Sequence, residues 1–405
     1  MKAARRVATP ATLTDSSAAI CSQSVRDLLL PKAPETGDLS LAERGSRECR
    51  FRNSSVSEMS GRMSSSPISG GSATFWVGTM RDRGEHIGQP LRSVYFHRNY
   101  HGFAGGHLKV WDYFDHINAA EGYRSEIFFT PQSIWAEHNP WFRSRDRILS
   151  EWHPRQADIV FLAGFDWLSI GEAERDHFAV PVINLVQHVR HSDPQDARFS
   201  FLGHRAIRIC VSQEITSALC ATGRVNGPIF TIPIGLDFSV FPEPVARSVR
   251  PYDLLIAGLK APVLADELAG LLRVRHPEMR LLSLTEYIPR SAFLEALGAA
   301  RTVLLLPSAK EGFYLPPLEA MMMRTIVICP DVEGNRCSCR DGETAIVSPQ
   351  YDQSALLGAV DRQTALEDNT REALVGRAAR TAASHDLSRE RAAFHEILTE
   401  IHQIW

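Results

Sequence analysis

The chain has 405 residues, 44% apolar and 22% charged, an ordinary globular mixture long enough for two cores. A formal net charge of −3 gives no field for nucleic acid, and seven scattered cysteines, an odd number, argue against a disulfide framework and for a cytoplasmic setting. The longest apolar runs, such as residues 179–186, fall far short of the roughly 20 residues that a membrane-spanning helix needs.

Residues 1–72 hold fifteen serines, one Phe and neither Trp nor Tyr. Such a segment cannot bury enough apolar surface to offset chain entropy, so a disordered tail is expected, and its opening lacks the apolar run of a secretory leader. From Arg92 the pattern alternates. Ser93–His97 reads as a strand and Leu108, Trp111, Phe114 and Ile117 as one face of the helix that follows. Between them Gly105 and Gly106 suit a backbone-lined loop at the strand's carboxyl end, although G-x-G-x-x-G is absent and a tight turn fits as well. His107 and Lys109 fall in the first helical turn, where either could touch a phosphate. Residues 141–147 place two aromatics before three arginines at alternate positions. Peripheral contact with anionic lipid is one reading, but this spacing does not gather arginines on a helix face, and a solvated loop is expected.

Further strands are expected at residues 126–130, 158–162 and 181–187, separated by helix-compatible segments, which is the pattern of parallel βαβ units. The last of these runs into His188, Arg190 and His191. Another strand at 207–211 precedes a helix capped by Ser212, and residues 228–237 close the first half. Pro242, Pro244 and Pro251 mark residues 238–251 as a linker. The second half opens with a strand at 252–257, whose tip carries Lys260, in isolation an ordinary solvated loop lysine. A strand at 281–284 leads to Ile288 and Arg290. Residues 302–306 form a short, partly β-branched apolar run, a strand buried on both faces, ended by Pro307 and Ser308. Pro316 and Pro317 then suit the first turn of a helix. Gly312 lets the backbone come close to another group, and the amides of Phe313, Tyr314 and Leu315 with the helix start favour an anion. Glu319 could accept both hydroxyls of a ribose and Glu311 could face a sugar; a first-turn Glu is also favourable through the helix dipole alone. Cys337 and Cys339 are one residue short of a zinc spacing and have no second pair, so no metal site is expected. The chain ends in a helix from about Arg389, capped by Ser388, with Phe394, Ile397, Leu398, Ile401 and Ile404 as a packing stripe.

The frame of strand, Pro307-Ser308, Glu311-Gly312-Phe313, helix and Ala320-Met321, with seven residues between Glu311 and Glu319, resembles the signature of retaining glycosyltransferases of the GT-B fold, family 4 (glycosyl transferases group 1). The resemblance spans roughly residues 92–405. It implies an α/β fold of two Rossmann-like domains whose parallel sheets face a central cleft, with the C-terminal helix crossing back to brace the first. Residues 73–237 would form the acceptor domain, 252–387 the nucleotide-sugar donor domain, and 388–405 the bracing helix. It implies a nucleoside diphosphate sugar as substrate, no other cofactor, and an unidentified acceptor, whether glycan, lipid-linked or small. The glycine loop of Gly105, Gly106 and His107 would close over donor phosphates or shape the acceptor side. His188 would face the reacting sugar, Glu311 its hydroxyls, Lys260 the diphosphate, Glu319 the ribose, and backbone near Ile288 the base. The chain departs from the family at Ile234, where Asn is usual, and at Leu259, where an Arg of the diphosphate site would fall; Arg290, His107 or Arg190 would have to replace it. No two aspartates stand two residues apart, so metal-independent transfer is expected. A sugar-nucleotide epimerase and a non-catalytic partner protein on the same fold are the alternatives.

Overall fold

The structure, a computed structural model, describes residues 90–405 apart from Phe103, and the expected tail at 1–72 lies outside these residues. The first half is a parallel six-stranded sheet of β1 (Arg92–Arg98), β2 (Tyr123–Phe129), β3 (Ile159–Ala163), β4 (Val182–Val186), β5 (Ile207–Cys210) and β6 (Ile229–Thr231), in the order β2-β1-β3-β4-β5-β6. Every residue of β3 and β4 is buried, as inner strands covered on both faces must be. Register sets Phe96 opposite Phe161, and the two rings stack at 4.5 Å. Helix α1 (Gly105–Asn118) lies over this face, with Val110, Tyr113, Phe114 and Ile117 in the core.

The second half is a parallel five-stranded sheet of β7 (Tyr252–Ala257), β8 (Leu281–Leu284), β9 (Ala300–Leu305), β10 (Ile326–Pro330) and β11 (Ile346–Ser348), in the order β11-β10-β9-β7-β8. Its helices are α4 (Pro262–Arg275), α5 (Arg290–Ala299), α6 (Pro316–Met322), α7 (Gln353–Thr364) and α8 (Asp368–Ala383), after α2 (Glu172–Arg175) and α3 (Gln213–Ala221) of the first half. Strand order reverses direction between β1 and β3 in one sheet and between β7 and β9 in the other. At such a switch point neighbouring connections leave to opposite faces and open a crevice at the strands' carboxyl ends, where α/β sheets bind ligands.

Residues 238–251 are anchored rather than loose. Arg250, 1% exposed, donates to the carbonyls of Ala300 and Met323 at 2.8 Å and pins the segment to the second half.

The last helix, α9 (Leu387–Ile404), crosses back onto the first half, where Phe394, Ile397, Leu398 and Ile401 join the core under α1. Its cap is Asp386, which accepts from the Ser388 amide at 2.7 Å; Ser388 itself lies inside the helix, a correction to the expected cap. Leu236 donates to the carbonyl of His385 at 2.8 Å and accepts from the amide of Leu387 at 3.1 Å, so the two chain crossings run side by side. A Cβ on Gly235 would lie 2.5 Å from Leu387 Cα, which is why that turn carries glycine. Glu390, 2% exposed, ties the crossing together by accepting from Lys109 Nζ at 2.8 Å, from His116 Nε2 at 3.2 Å and from the Gly235 amide.

Candidate active site

Lys260 follows β7 and Glu311 follows β9, so both stand at the second sheet's switch point. Their side chains form an ion pair, and Glu311 also accepts from the Ser308 amide at 2.9 Å. The Lys260 ammonium sits 5.0 Å from the centroid of the buried Tyr314 ring, a cation–π contact that fixes its direction. One strand ridge away, Arg290 at the start of α5 reaches Glu319 in α6, with Nε and Nη2 both 3.0 Å from Oε1. Burial pushes the Glu319 carboxyl up, and Arg290 pulls against that shift. Arg290, proposed from sequence as a replacement diphosphate cation, is thus engaged with the second glutamate. Ile288, half-buried, lies in the loop between β8 and Arg290.

The first half meets this site through the end of β4. His188 accepts at Nδ1 from the Arg190 amide at 3.0 Å, which assigns the proton to Nε2, and Nε2 donates to the carbonyl of Lys310 at 3.2 Å. Burial and then Arg190 lower its pKa, so the ring is held neutral. A Cβ on Gly312 would lie 2.1 Å from the Gln187 carbonyl oxygen and 2.5 Å from His188 Cα. The close approach of the two halves at this point requires a glycine. Gly105 and Gly106 prove to be the first turn of α1 rather than a loop. Gly105 lies against Leu315, and Gln187 Nε2 donates to the Gly106 carbonyl at 3.2 Å.

Other expectations fare differently. The Tyr314 amide donates to the Gly334 carbonyl at 3.0 Å, so it cannot serve an anion, whereas no bond of this kind engages the amides of Phe313 and Leu315. Lys109 is 1% exposed and committed to Asp112 at 2.7 Å, to Glu390 and to the Gly235 carbonyl, so it touches no phosphate. His191 is 3% exposed and packs in the core of its turn. Trp141 is fully buried, while the exposed Arg145 lies over the half-buried rings of Trp135 and Phe142.

Sequence reasoning missed Arg98 and Asp166. Arg98 closes β1, Asp166 follows β3, and their side chains meet at 3.1 Å at the first sheet's switch point. A charged residue closing an apolar strand was the visible signal; its partner needed the strand order. Between α1, the 235–240 turn and Arg290 lies a cavity of about 120 Å³, well below the roughly 300 Å³ and more of small-molecule sites. Among the described residues no group of three His, Cys, Asp or Glu side chains is arranged to hold a metal, and no helix is long and apolar enough to cross a membrane.

Residues 235–365 match the family model described as Glycosyl transferases group 1. No curated protein matches the chain. Among solved structures, a sucrose-phosphate synthase from Thermosynechococcus elongatus aligns with a TM-score of 0.59 at 15% identity, over 77% of this chain and 99% of its own. HepE from Anabaena, solved with UDP and glucose, aligns with a TM-score of 0.57 at 13% identity over 76% and 100%. The lipopolysaccharide outer core galactosyltransferase WaaB aligns at 0.54 and 12% identity over 76% and 99%. At these identities the likeness is one of fold, two Rossmann-like domains in the GT-B arrangement.

Proposed function

We propose that this chain, of GT-B fold and with a second domain of the glycosyl transferases group 1 type, is a glycosyltransferase that moves a sugar from a nucleoside diphosphate donor to an acceptor with retention of configuration and without a divalent metal. The observation that carries the reading is the placement of two buried glutamates, each beside one cation, at the switch point of the matched domain. A donor entering there exchanges the Lys260–Glu311 pair for two contacts, diphosphate on Lys260 and sugar hydroxyls on Glu311. Glu319, held by Arg290 through Oε1 alone, presents its other oxygen to the ribose. In the reaction the bond from the anomeric carbon to the diphosphate oxygen breaks, the bond to the acceptor oxygen forms on the same face, and the acceptor's proton passes to a phosphate oxygen. Negative charge grows on the departing diphosphate, so a preorganised cation there lowers the barrier. Lys260 and the amides of Phe313 and Leu315 supply it. His188, neutral and aimed across the cleft, lines the sugar's side.

HepE, solved with UDP-glucose, makes UDP-sugars the first donors to try. The test is mass spectrometry of products from a panel of sugar nucleotides, with and without candidate acceptors, in EDTA. Transfer surviving EDTA supports the reading, and loss restored by Mg²⁺ or Mn²⁺ overturns the metal-free account. The pairing of both site cations with site glutamates favours a second reading, a non-catalytic partner on the same fold. That protein would bind none of the sugar nucleotides and form no product.

A further inference from the structure

The reversal of strand order that brings Lys260 to Glu311 in the second sheet brings Arg98 to Asp166 in the first. Both crevices lie outside the carboxyl ends of parallel strands, so both have the geometry of ligand sites. Buried polar atoms normally find partners. Here they do not. Of the fifteen buried side-chain polar atoms without a hydrogen-bond partner among the described residues, four belong to this crevice: Nε and Nη1 of Arg98 and Nδ1 of His97 and His107. Arg98 Nη1 approaches Asp166 Oδ2 at 3.1 Å without hydrogen-bond alignment, and the same Oδ2 already accepts from the Ala163 amide at 2.9 Å. The guanidinium, 12% exposed, is therefore short of acceptors although its charge is matched. His107 packs at a tilt against the buried Tyr100 ring, with centroids 4.9 Å apart. Burial, then Arg98, hold its imidazole down to about 4, so it is neutral and can donate or accept one bond.

We infer that this crevice binds an oxyanion, a phosphate or carboxylate carried by the acceptor, on Arg98 and His107, with Asp166 holding the guanidinium in place and competing for it. The inference rests on the transferase reading for the word acceptor; the anion site itself does not. Phe165 and Leu168, 50% and 60% exposed, flank Asp166 in sequence, and the Arg198 guanidinium lies 4.7 Å over the Phe165 ring.

The experiment is calorimetric titration of the full chain, first with inorganic phosphate in saturating UDP so that the donor site is filled, then with glucose 6-phosphate and with monomeric lysophosphatidic acid. Arg98→Gln should weaken phosphate at least tenfold, the worth of a lost charge-assisted bond. Asp166→Asn, which keeps the side-chain oxygen and removes the competing charge, should strengthen it several-fold. A structural ion pair would lower the melting temperature in both variants and shift phosphate affinity in neither, and that result overturns the inference. Should Arg98→Gln fail to fold, the sign of the Asp166→Asn change decides alone. Tighter binding of the lysolipid than of glucose 6-phosphate assigns the anion to a lipid, and the reverse order assigns it to a soluble sugar phosphate. If no UDP-sugar yields a transfer product while phosphate affinity still moves in opposite directions, the transferase reading fails and the site stands. If transfer occurs and phosphate affinity does not move, the site fails and the transferase reading stands.

Discussion

Replacing Glu311 by Gln should tighten the protein's hold on a nucleoside diphosphate while suppressing transfer. The Glu311 carboxylate holds Lys260, so a diphosphate must take the ammonium away from it. Glu311→Gln keeps the volume and the bond from the Ser308 amide at 2.9 Å and removes only the charge. With Lys260 36% exposed and Glu311 11% exposed at the side chain, the pair is partly screened by solvent. Exposed pairs contribute up to about 1 kcal/mol, and a value of about 0.5 to 1 kcal/mol here converts to a two- to fivefold gain in UDP affinity. Transfer should fall at least tenfold, because the lost carboxylate is the one that meets the sugar. Titration of both proteins with UDP at low and high salt, beside a product assay, measures both effects. The gain should shrink at high salt. Weaker UDP binding in Glu311→Gln would show that Lys260 is not the diphosphate's cation, and the account of the site would fail.

Gly312→Ala pushes a Cβ to 2.1 Å from the Gln187 carbonyl oxygen, so the halves must separate there; a cost of about 1 to 3 kcal/mol is expected, and an unchanged melting temperature would show that the contact is dispensable. Glu390→Ala leaves the buried Gly235 amide without its acceptor and Lys109 with Asp112 as its remaining carboxylate, and should cost about 1 to 3 kcal/mol, read by urea unfolding; Glu390→Gln should recover part of it. His191 has its pKa lowered to about 3 by burial and then by Arg198, so the unfolded chain binds its proton first and stability is lost as pH falls from 6.5 toward 3. At pH 4.5, two units below its ordinary value, the loss is on the order of 2 to 3 kcal/mol, and His191→Gln should flatten the acid limb accordingly.

Much of the fold could be read along the chain because it depends on neighbours in sequence. Runs such as 182–186, apolar but for Asn184, and 303–306 announce strands covered on both faces, and α9 carries a stripe whose spacing alone calls for a packing surface. Capping was less legible. Ser388 and Asp386 both have a capping side chain, and the chain enters α9 at Asp386 because Leu236 holds Leu387 in place from across the sequence. Arg143 and Arg145 are exposed as their spacing suggested, whereas Trp141 just before them belongs to the core.

The site shows why local reading stops where it does. Glu311 and Glu319 are visible because eight positions of chain fix their relation, but what each touches is set by strands that pair out of order. Lys260 is 51 residues from Glu311, and Arg290 is 29 from Glu319. In the proposed site a glutamate beside the start of α6 would repel an anionic donor, and the cations brought by strand order offset that charge. Hence the absence of an Arg at Leu259 does not by itself empty the site of positive charge: the topology supplies one cation to each glutamate. The same rule explains why Arg98 passed unnoticed. Its meaning lies in Asp166, placed beside it by the reversal between β1 and β3, and a reversal in strand order leaves no mark on composition or period.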